Sequence, residues 1–388
     1  MRPITALPLL LWAACATADK ASPPTADSGA ATDSVAESPP VESELPDDSA
    51  SDDSPADDSP ADDSPTDDSP TDDSGEPFVP ETALDCFGDI FDGGEVPDYD
   101  QYAPVMNAEC AGTNHQDIVG VQRVVFVGDS ITVGSPPTDP NDFYRVQLAN
   151  ALVSRFGLDA PDISWDWYDP FNGTTISQES GDFASCAKWG ARTDDLMQDN
   201  DQVVDCLPED QRDKTTLVVM TMGGNDLFNL AEGYNTGERS VEELWAQVYD
   251  YMQLMRDAVE WMTGDPTRFP NGIYVVFANL YEFTDSLGDV ASCPGAEAAG
   301  YNWDLAGPEL VEMINWSQEE FMHIAVDTQT DMIFLGENFC GHGYNRDDAT
   351  GRCYRAPDAD LWFDLTCFHP NDLGHTAIAD MFESVIEE

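Results

Sequence analysis

Positive charge is what this sequence has least of. Fifteen Lys and Arg stand against 76 Asp and Glu in 388 residues, a formal net charge of −61. Lysine occurs only at Lys20, Lys188 and Lys214. Such a surface repels phosphate backbones and anionic headgroups, which argues against nucleic acid or an anionic membrane as partner. It suits surroundings rich in salt or divalent cations, where screening relieves self-repulsion. No C-x-x-C pair occurs, which argues against a zinc site, and the Asp pairs lack the Gly and terminal Glu of an EF-hand. No apolar run is long enough to span a bilayer. The stretch Ile4 to Ala14, behind Arg2, has the length and flank of an export signal instead. No second Pro/Ser-rich break follows residue 85, so one large domain is expected rather than two.

Export is read in two ways. Leu11-Trp12-Ala13-Ala14-Cys15 resembles a bacterial lipobox, in which Cys15 carries the lipid, whereas Ala16-Thr17-Ala18 is an A-x-A cleavage site for plain secretion. Residues 1–18 are therefore assigned to the leader of an exported bacterial protein, either a surface lipoprotein or a secreted one. Residues 19–83 read as an acidic linker. Asp52-Asp53-Ser54-Pro55 repeats every five residues at Asp57, Asp62 and Asp67, and like charges with interspersed Pro predict an extended, disordered spacer. The segment through Ala83 holds 20 acids and two bases, so −43 of the net charge belongs to residues 84–388. Nine cysteines minus Cys15 leave eight, an even set that predicts disulfides. Proximity favours Cys86–Cys110, Cys186–Cys206 and Cys340–Cys353, with Cys293–Cys367 remaining.

Past Cys110 the pattern alternates strands with helices. Val124 to Val127, Leu217 to Met222, Ile273 to Leu280 and Met332 to Leu335 are short apolar runs typical of buried parallel strands, and Ile163 to Tyr168 reads as one more. Helices are predicted over Asp142 to Phe156, from Ser240 with Glu243 completing a capping box, over Pro308 to Thr328, and over Asp372 to Ile386. In the second of these, Leu244, Val248, Tyr251, Met255, Ala258 and Met262 share one face. The fold class is α/β, three layers, with a doubly wound, flavodoxin-like parallel sheet of about five strands. Sites in such sheets form at the carboxyl ends of strands.

Three polar clusters stand at those ends or before the last helix: Gly128-Asp129-Ser130-Ile131, Gly223-Gly224-Asn225-Asp226 and Phe368-His369-Pro370-Asn371. With the segment Ala187 to Leu196, their order resembles the Ser, Gly, Asn and His blocks of the SGNH/GDSL hydrolases over roughly residues 120 to 386. Phe269-Pro270-Asn271-Gly272 and Cys367-Phe368-His369-Pro370-Asn371 look most like extracellular phospholipase B-like and acyloxyacyl hydrolase-like members. The resemblance implies a serine ester hydrolase with Ser130 as nucleophile, His369 as base, and an oxyanion hole of Ser130 N–H, Gly190 N–H and the Asn225 amide.

These residue types suit acyl transfer on their own chemistry: a hydroxyl, a base of near-neutral pKa, and donors for the tetrahedral oxyanion. The sequence departs from the family at the third triad member, where Thr366 stands three residues before His369. Asp364 is expected to take the acid's place, or else the Thr366 backbone carbonyl orients the ring; Asp360 and Asp372 are weaker candidates. His342 is expected to be structural, as are His375, His115 and His323. Trp165, Trp167, Tyr168, Phe171, Trp189 and Phe228 are expected to line an acyl groove or to fill the core. Lipid or phospholipid acyl esters are the expected substrates, with carbohydrate O-acetyl esters next. The alternatives are an acyltransferase and a non-catalytic surface binding protein on the same fold. No cofactor or metal is implied, the chain is expected to act as a monomer, and membrane contact is expected only through an anchor at Cys15.

Overall fold

The computed structural model describes residues 79–91, 96–299, 301 and 305–388. The leader and nearly all of the acidic linker lie outside the described residues. The helix α1 (Ala83–Phe91) already begins within the span assigned to the linker, and Ala83 is buried.

Six strands form the central sheet: β1 (Arg123–Gly128), β2 (Glu179–Ser180), β3 (Phe183–Ser185), β4 (Thr216–Thr221), β5 (Ile273–Ala278) and β6 (Asp331–Ile333), in the order β2-β3-β1-β4-β5-β6. β3, β1, β4, β5 and β6 run parallel, with β2 as an antiparallel edge. The parallel strands, taken in chain order, follow the 2-1-3-4-5 winding of flavodoxin-like sheets. β1 and β4 are buried along their whole length because helices cover both faces.

Alternation of side chains along each strand divides the interior in two. Val124, Phe126, Leu217, Val219 and Val276 meet Leu148, Leu152, Ile378 and Phe382, from α3 (Tyr144–Phe156) and the last helix, Asp372–Glu387. Val125, Val127, Val218, Met220 and Phe277 face the other layer. Its helices are α4 (Gly224–Thr236), α5 (Val241–Thr263) and α6 (Pro308–Thr328), and the last helix is α7. All six residues of the apolar stripe read on α5 are buried, and the capping box is present: Glu243 N donates to Ser240 Oγ, and Ser240 N donates to Glu243 Oε2 at 2.8 Å.

One strand was misplaced by the sequence. Ile163 to Tyr168 is not in the sheet: Ile163–Asp166 is a helical turn capped by Asp162, whose carboxylate accepts from Ser164 N at 2.9 Å. Tyr168–Asp169 then pairs with Thr174–Thr175 in a separate ribbon. The alternation that imitates a strand is an Asp-capped turn followed by a hairpin arm. The true second parallel strand, β3, has only three residues, too few to show a period. At the other end of the sheet, β6 stops at Ile333 and Leu335 opens a short helix.

Four disulfides are formed: Cys86–Cys110, Cys186–Cys206 and Cys340–Cys353, which proximity favoured, and Cys293–Cys367, the pair left over. Thiol titration of the denatured, unreduced protein is expected to find essentially none of these eight free. Two or more free thiols would contradict the framework.

Candidate active site

Ser130 is the first residue of α2, the helical turn Ser130–Val133 that follows β1. Its position is tightly held. Gly128 N donates to Gln202 Oε1 (2.9 Å), and Gln202 Nε2 returns a bond to Gly128 O (3.1 Å). A glycine is required at 128: φ is 147°, and a Cβ there would stand 2.4 Å from the Thr221 carbonyl. The Asp129 carboxylate caps the turn by accepting from Ile131 N at 2.9 Å, and burial pushes its pKa up to about 7. At the far end of α2, the fully buried Arg145 donates to the carbonyls of Thr132 (3.0 Å) and Trp165 (2.9 Å), its guanidinium 4.0 Å over the Trp165 ring. A fixed cation at the C-terminus of that turn complements the helix dipole that begins at Ser130.

His369 arrives on the loop between β6 and α7. Its Nε2 lies 2.8 Å from Ser130 Oγ. Loss of water around the ring pushes its pKa down to about 4, so at neutral pH it is the free base, able to accept a proton. The loop is pinned from several sides. Asp364 N donates to His369 O (2.9 Å), Phe363 bridges Pro370, and the Cys293–Cys367 disulfide fastens its tip, where Cys367 has a left-handed φ of 77°.

The partner of His369 Nδ1 is neither of those expected from the sequence. It is the side-chain hydroxyl of Thr366, at 2.9 Å. Asp364 does not touch the ring. Its Oδ1 accepts from Thr366 N at 2.8 Å and from Thr366 Oγ1, so the carboxylate stands one hydroxyl behind the imidazole. The reason is local: an Asp two residues before a Thr folds its carboxylate back onto that residue's N–H, which turns it away from His369. The sequence carried one signal for this arrangement, a hydroxyl side chain where an acid was expected. Asp360 offers its carbonyl to His342 Nδ1 (2.9 Å), and Asp372 begins α7, which Asn371 caps.

Asn225 stands in the first turn of α4, directly after β4, and its Nδ2 donates to Ala191 O at 2.8 Å. Next to it, Asp226 accepts from Thr193 N and Oγ1, both at 3.1 Å. Two adjacent residues of α4 thus hold the loop that carries Gly190, which is exposed and has a φ of 72°. One amide hydrogen of Asn225 is spent on Ala191, and an amide group has a second. Ser130 N, at the first position of α2, has no acceptor within its own helix.

Ser130, Asn225 and His369 open onto a cleft of about 570 Å³. Leu227, Phe228, Ala231, Leu280 and Leu305 form much of its apolar wall, and Leu365 stands exposed at its rim. Of the aromatic residues named from the sequence, Trp189 and Phe228 line the cleft, Trp165 is core, and Phe171 is 95% exposed on the ribbon's turn. His342 stacks on Trp362 at 3.6 Å, away from the cleft, and His375 is buried beside Tyr144. His115 meets the Thr330 carbonyl, and His323 stacks on Tyr102.

The family model described as GDSL-like lipase/acylhydrolase matches residues 124–382, the span from β1 to α7. The chain belongs to this family. It is a carboxylic ester hydrolase of the GDSL type, as the blocks around Ser130, Asn225 and His369 implied. An extracellular lipase from Streptomyces rimosus superposes with a TM-score of 0.38 at 17% identity, over 68% of this chain and 100% of that one. A phospholipase A1 from Streptomyces albidoflavus gives 0.39 at 16%, over 68% and 99%. A two-domain esterase active on acetylated mannans gives 0.35 at 14%, over 69% and 48%. No curated protein matches the chain. The four disulfides fit an exported GDSL hydrolase, and among the described residues no helix is long and apolar enough to cross a membrane.

Proposed function

We propose that this hydrolase cleaves acyl esters of neutral or zwitterionic lipids through an acyl-enzyme on Ser130, with His369 as base and Asp364 as the acid of the set. The observation that carries the reading is a serine hydroxyl 2.8 Å from an imidazole at the mouth of a large apolar cleft. Ser130 Oγ attacks the ester carbonyl as its proton passes to His369 Nε2. The oxyanion is met by Ser130 N–H, Gly190 N–H and the spare Asn225 amide hydrogen. The imidazolium returns the proton to the departing alkoxide, and water repeats the sequence to release the acid.

The cleft favours a fatty acyl chain over an acetyl group. Asn225, Phe228 and Ala231 lie on one face of α4, and Ala231 is six residues beyond Asn225. At the rise of an α-helix that apolar wall runs about 9 Å from the reacting centre. An acetyl ester would leave most of it uncovered. The acidic surface disfavours anionic substrates. The protein acts outside the cytoplasm as a monomer, held by a lipid on Cys15 or released after Ala18.

A series of soluble esters from acetyl to dodecanoyl tests the reading. kcat/KM is expected to rise about fourfold per methylene over the first several carbons, the gain from burying each one. A maximum at acetyl would overturn the lipid assignment and favour carbohydrate O-acetyl esters.

A further inference from the structure

We propose that Thr366 is the positioning residue of this site, a hydroxyl bridge that lets the buried Asp364 orient His369 without touching it. The inference rests on the ester-hydrolase reading of Ser130 and His369. It adds a fourth member to their chain, in the order Asp364, Thr366, His369, Ser130.

A hydroxyl carries one hydrogen, and its direction here is determined by what lies on either side. An ionised carboxylate only accepts, so Thr366 Oγ1 donates to Asp364 Oδ1. Its lone pairs then face His369 Nδ1, 2.9 Å away, which makes Nδ1 the protonated nitrogen. Nε2 is left bare to accept from Ser130 Oγ at 2.8 Å. When Ser130 attacks, its proton moves to Nε2, the Nδ1–H stays on the ring, and the bond to Thr366 shortens as the ring becomes positive. No proton crosses to Thr366 or to Asp364.

The surroundings hold this chain in place. Asp364 is 6% exposed and receives a second bond, from Thr366 N at 2.8 Å. Tyr344 Oη donates to the Asp364 carbonyl at 2.6 Å. The next turn is closed by the Cys293–Cys367 disulfide, and Gly295 packs so tightly below it that a Cβ there would meet Leu365 O at 2.1 Å. The backbone that carries the Thr366 hydroxyl is therefore fixed on both sides of it.

The bridge also predicts a dependence on pH. Burial pushes the Asp364 pKa up to about 6, against the two Thr366 bonds that lower it. Once protonated, Asp364 no longer demands the Thr366 hydrogen, which is then free to turn toward Nδ1 and leave the ring in the wrong tautomer. The other titratable groups facing the chain are Tyr281, Tyr344, Asp129 and His375. Both tyrosines are raised by burial and by the Asp364 charge, and neutral His375 has its pKa pushed down to about 3 by burial. Asp129, with a pKa of about 7, is the group whose titration lies nearest; it is kept in every variant, so only the limb near pH 6 is expected to go with Asp364.

The test is kinetic, on a soluble ester with full-length protein. Thr366→Val is expected to lower kcat by about 10²–10⁴ with KM within a few-fold, since a wrong tautomer abolishes proton transfer but not binding. Thr366→Ser, which keeps the hydroxyl, is expected to recover to within about tenfold of wild type. Asp364→Asn is expected to cost about 10- to 100-fold and to remove an acid limb near pH 6 from the kcat/KM profile. Combined with Thr366→Val it is expected to add almost nothing, because the carboxylate acts only through the hydroxyl. Near-normal kcat in Thr366→Val, failure of Thr366→Ser to recover activity in a folded protein, additive losses in the double mutant, or an acid limb unchanged in Asp364→Asn would each overturn the bridge. Ser130→Ala run in parallel separates the two ideas: full turnover there refutes the underlying reading, whereas an inactive Ser130→Ala beside a normal Thr366→Val refutes the bridge alone.

Discussion

Replacing Ser130 with Ala is expected to lower kcat by about 10⁵-fold or more, and His369→Ala to do nearly the same. The two side chains form one unit. In the proposed mechanism, without the Oγ there is no atom to carry the acyl group, and without Nε2, 2.8 Å away, the hydroxyl keeps its proton and remains a poor nucleophile. Their losses should therefore not multiply in the double mutant, since each removal already disables the same step. Neither change should unfold the protein. Ser130 is held by backbone bonds on either side of it, and the His369 loop by its disulfide and its bonds to Asp364 and Phe363. Single-turnover assays with thermal unfolding as control decide the matter. A folded Ser130→Ala protein with near-wild-type turnover, or failure of wild type to label with a fluorophosphonate, would remove Ser130 from the mechanism.

Asn225→Ala is expected to lower kcat by about 10²–10³ while KM moves little. Asn225 lines the cleft and spends one amide hydrogen on Ala191; in the proposed mechanism the other meets charge that develops only as the tetrahedral intermediate forms, so its loss is felt in the transition state and not in the bound ester. The same mutation removes a tether of the Gly190 loop, but the two bonds from Thr193 to Asp226 remain to hold it. Asn225→Asp is the informative companion: a carboxylate still packs there, yet it offers no donor and repels an oxyanion, so it should be at least as damaging as Ala. A loss below about tenfold in either variant would show that Ser130 and Gly190 stabilise the oxyanion without Asn225.

Much of this protein was legible as a string of residues. β1 and β4 announce themselves because a strand buried on both faces has no place for polar side chains, and the polar blocks at their ends mark where the sheet meets solvent. The α5 capping box and its apolar stripe are local signals read within a few turns of helix. The cysteine pairing was also accessible, since three of the four bridges join neighbours in sequence. Family membership followed from the order of the Ser130, Asn225 and His369 blocks, each short and contiguous.

What only the tertiary structure decided lies where residues distant in sequence, or side chains with more than one choice of partner, settle their contacts. β3 has three residues and is a strand only because β1 is there to pair with it, whereas Ile163 to Tyr168 had the alternation but an Asp-capped turn and a hairpin partner instead. The far wall of the cleft comes from Leu280, Tyr301 and Leu305, more than 50 residues beyond Asn225, and nothing in their local pattern shows which space they enclose. The same holds at the base. Sequence narrowed the orienting group to Asp364 or the Thr366 backbone carbonyl, but a hydrogen bond depends on direction as well as proximity. The Asp364-x-Thr366 spacing allows the carboxylate to fold back onto Thr366, but it is the tight turn from Asp364 to His369 that brings the hydroxyl to the ring.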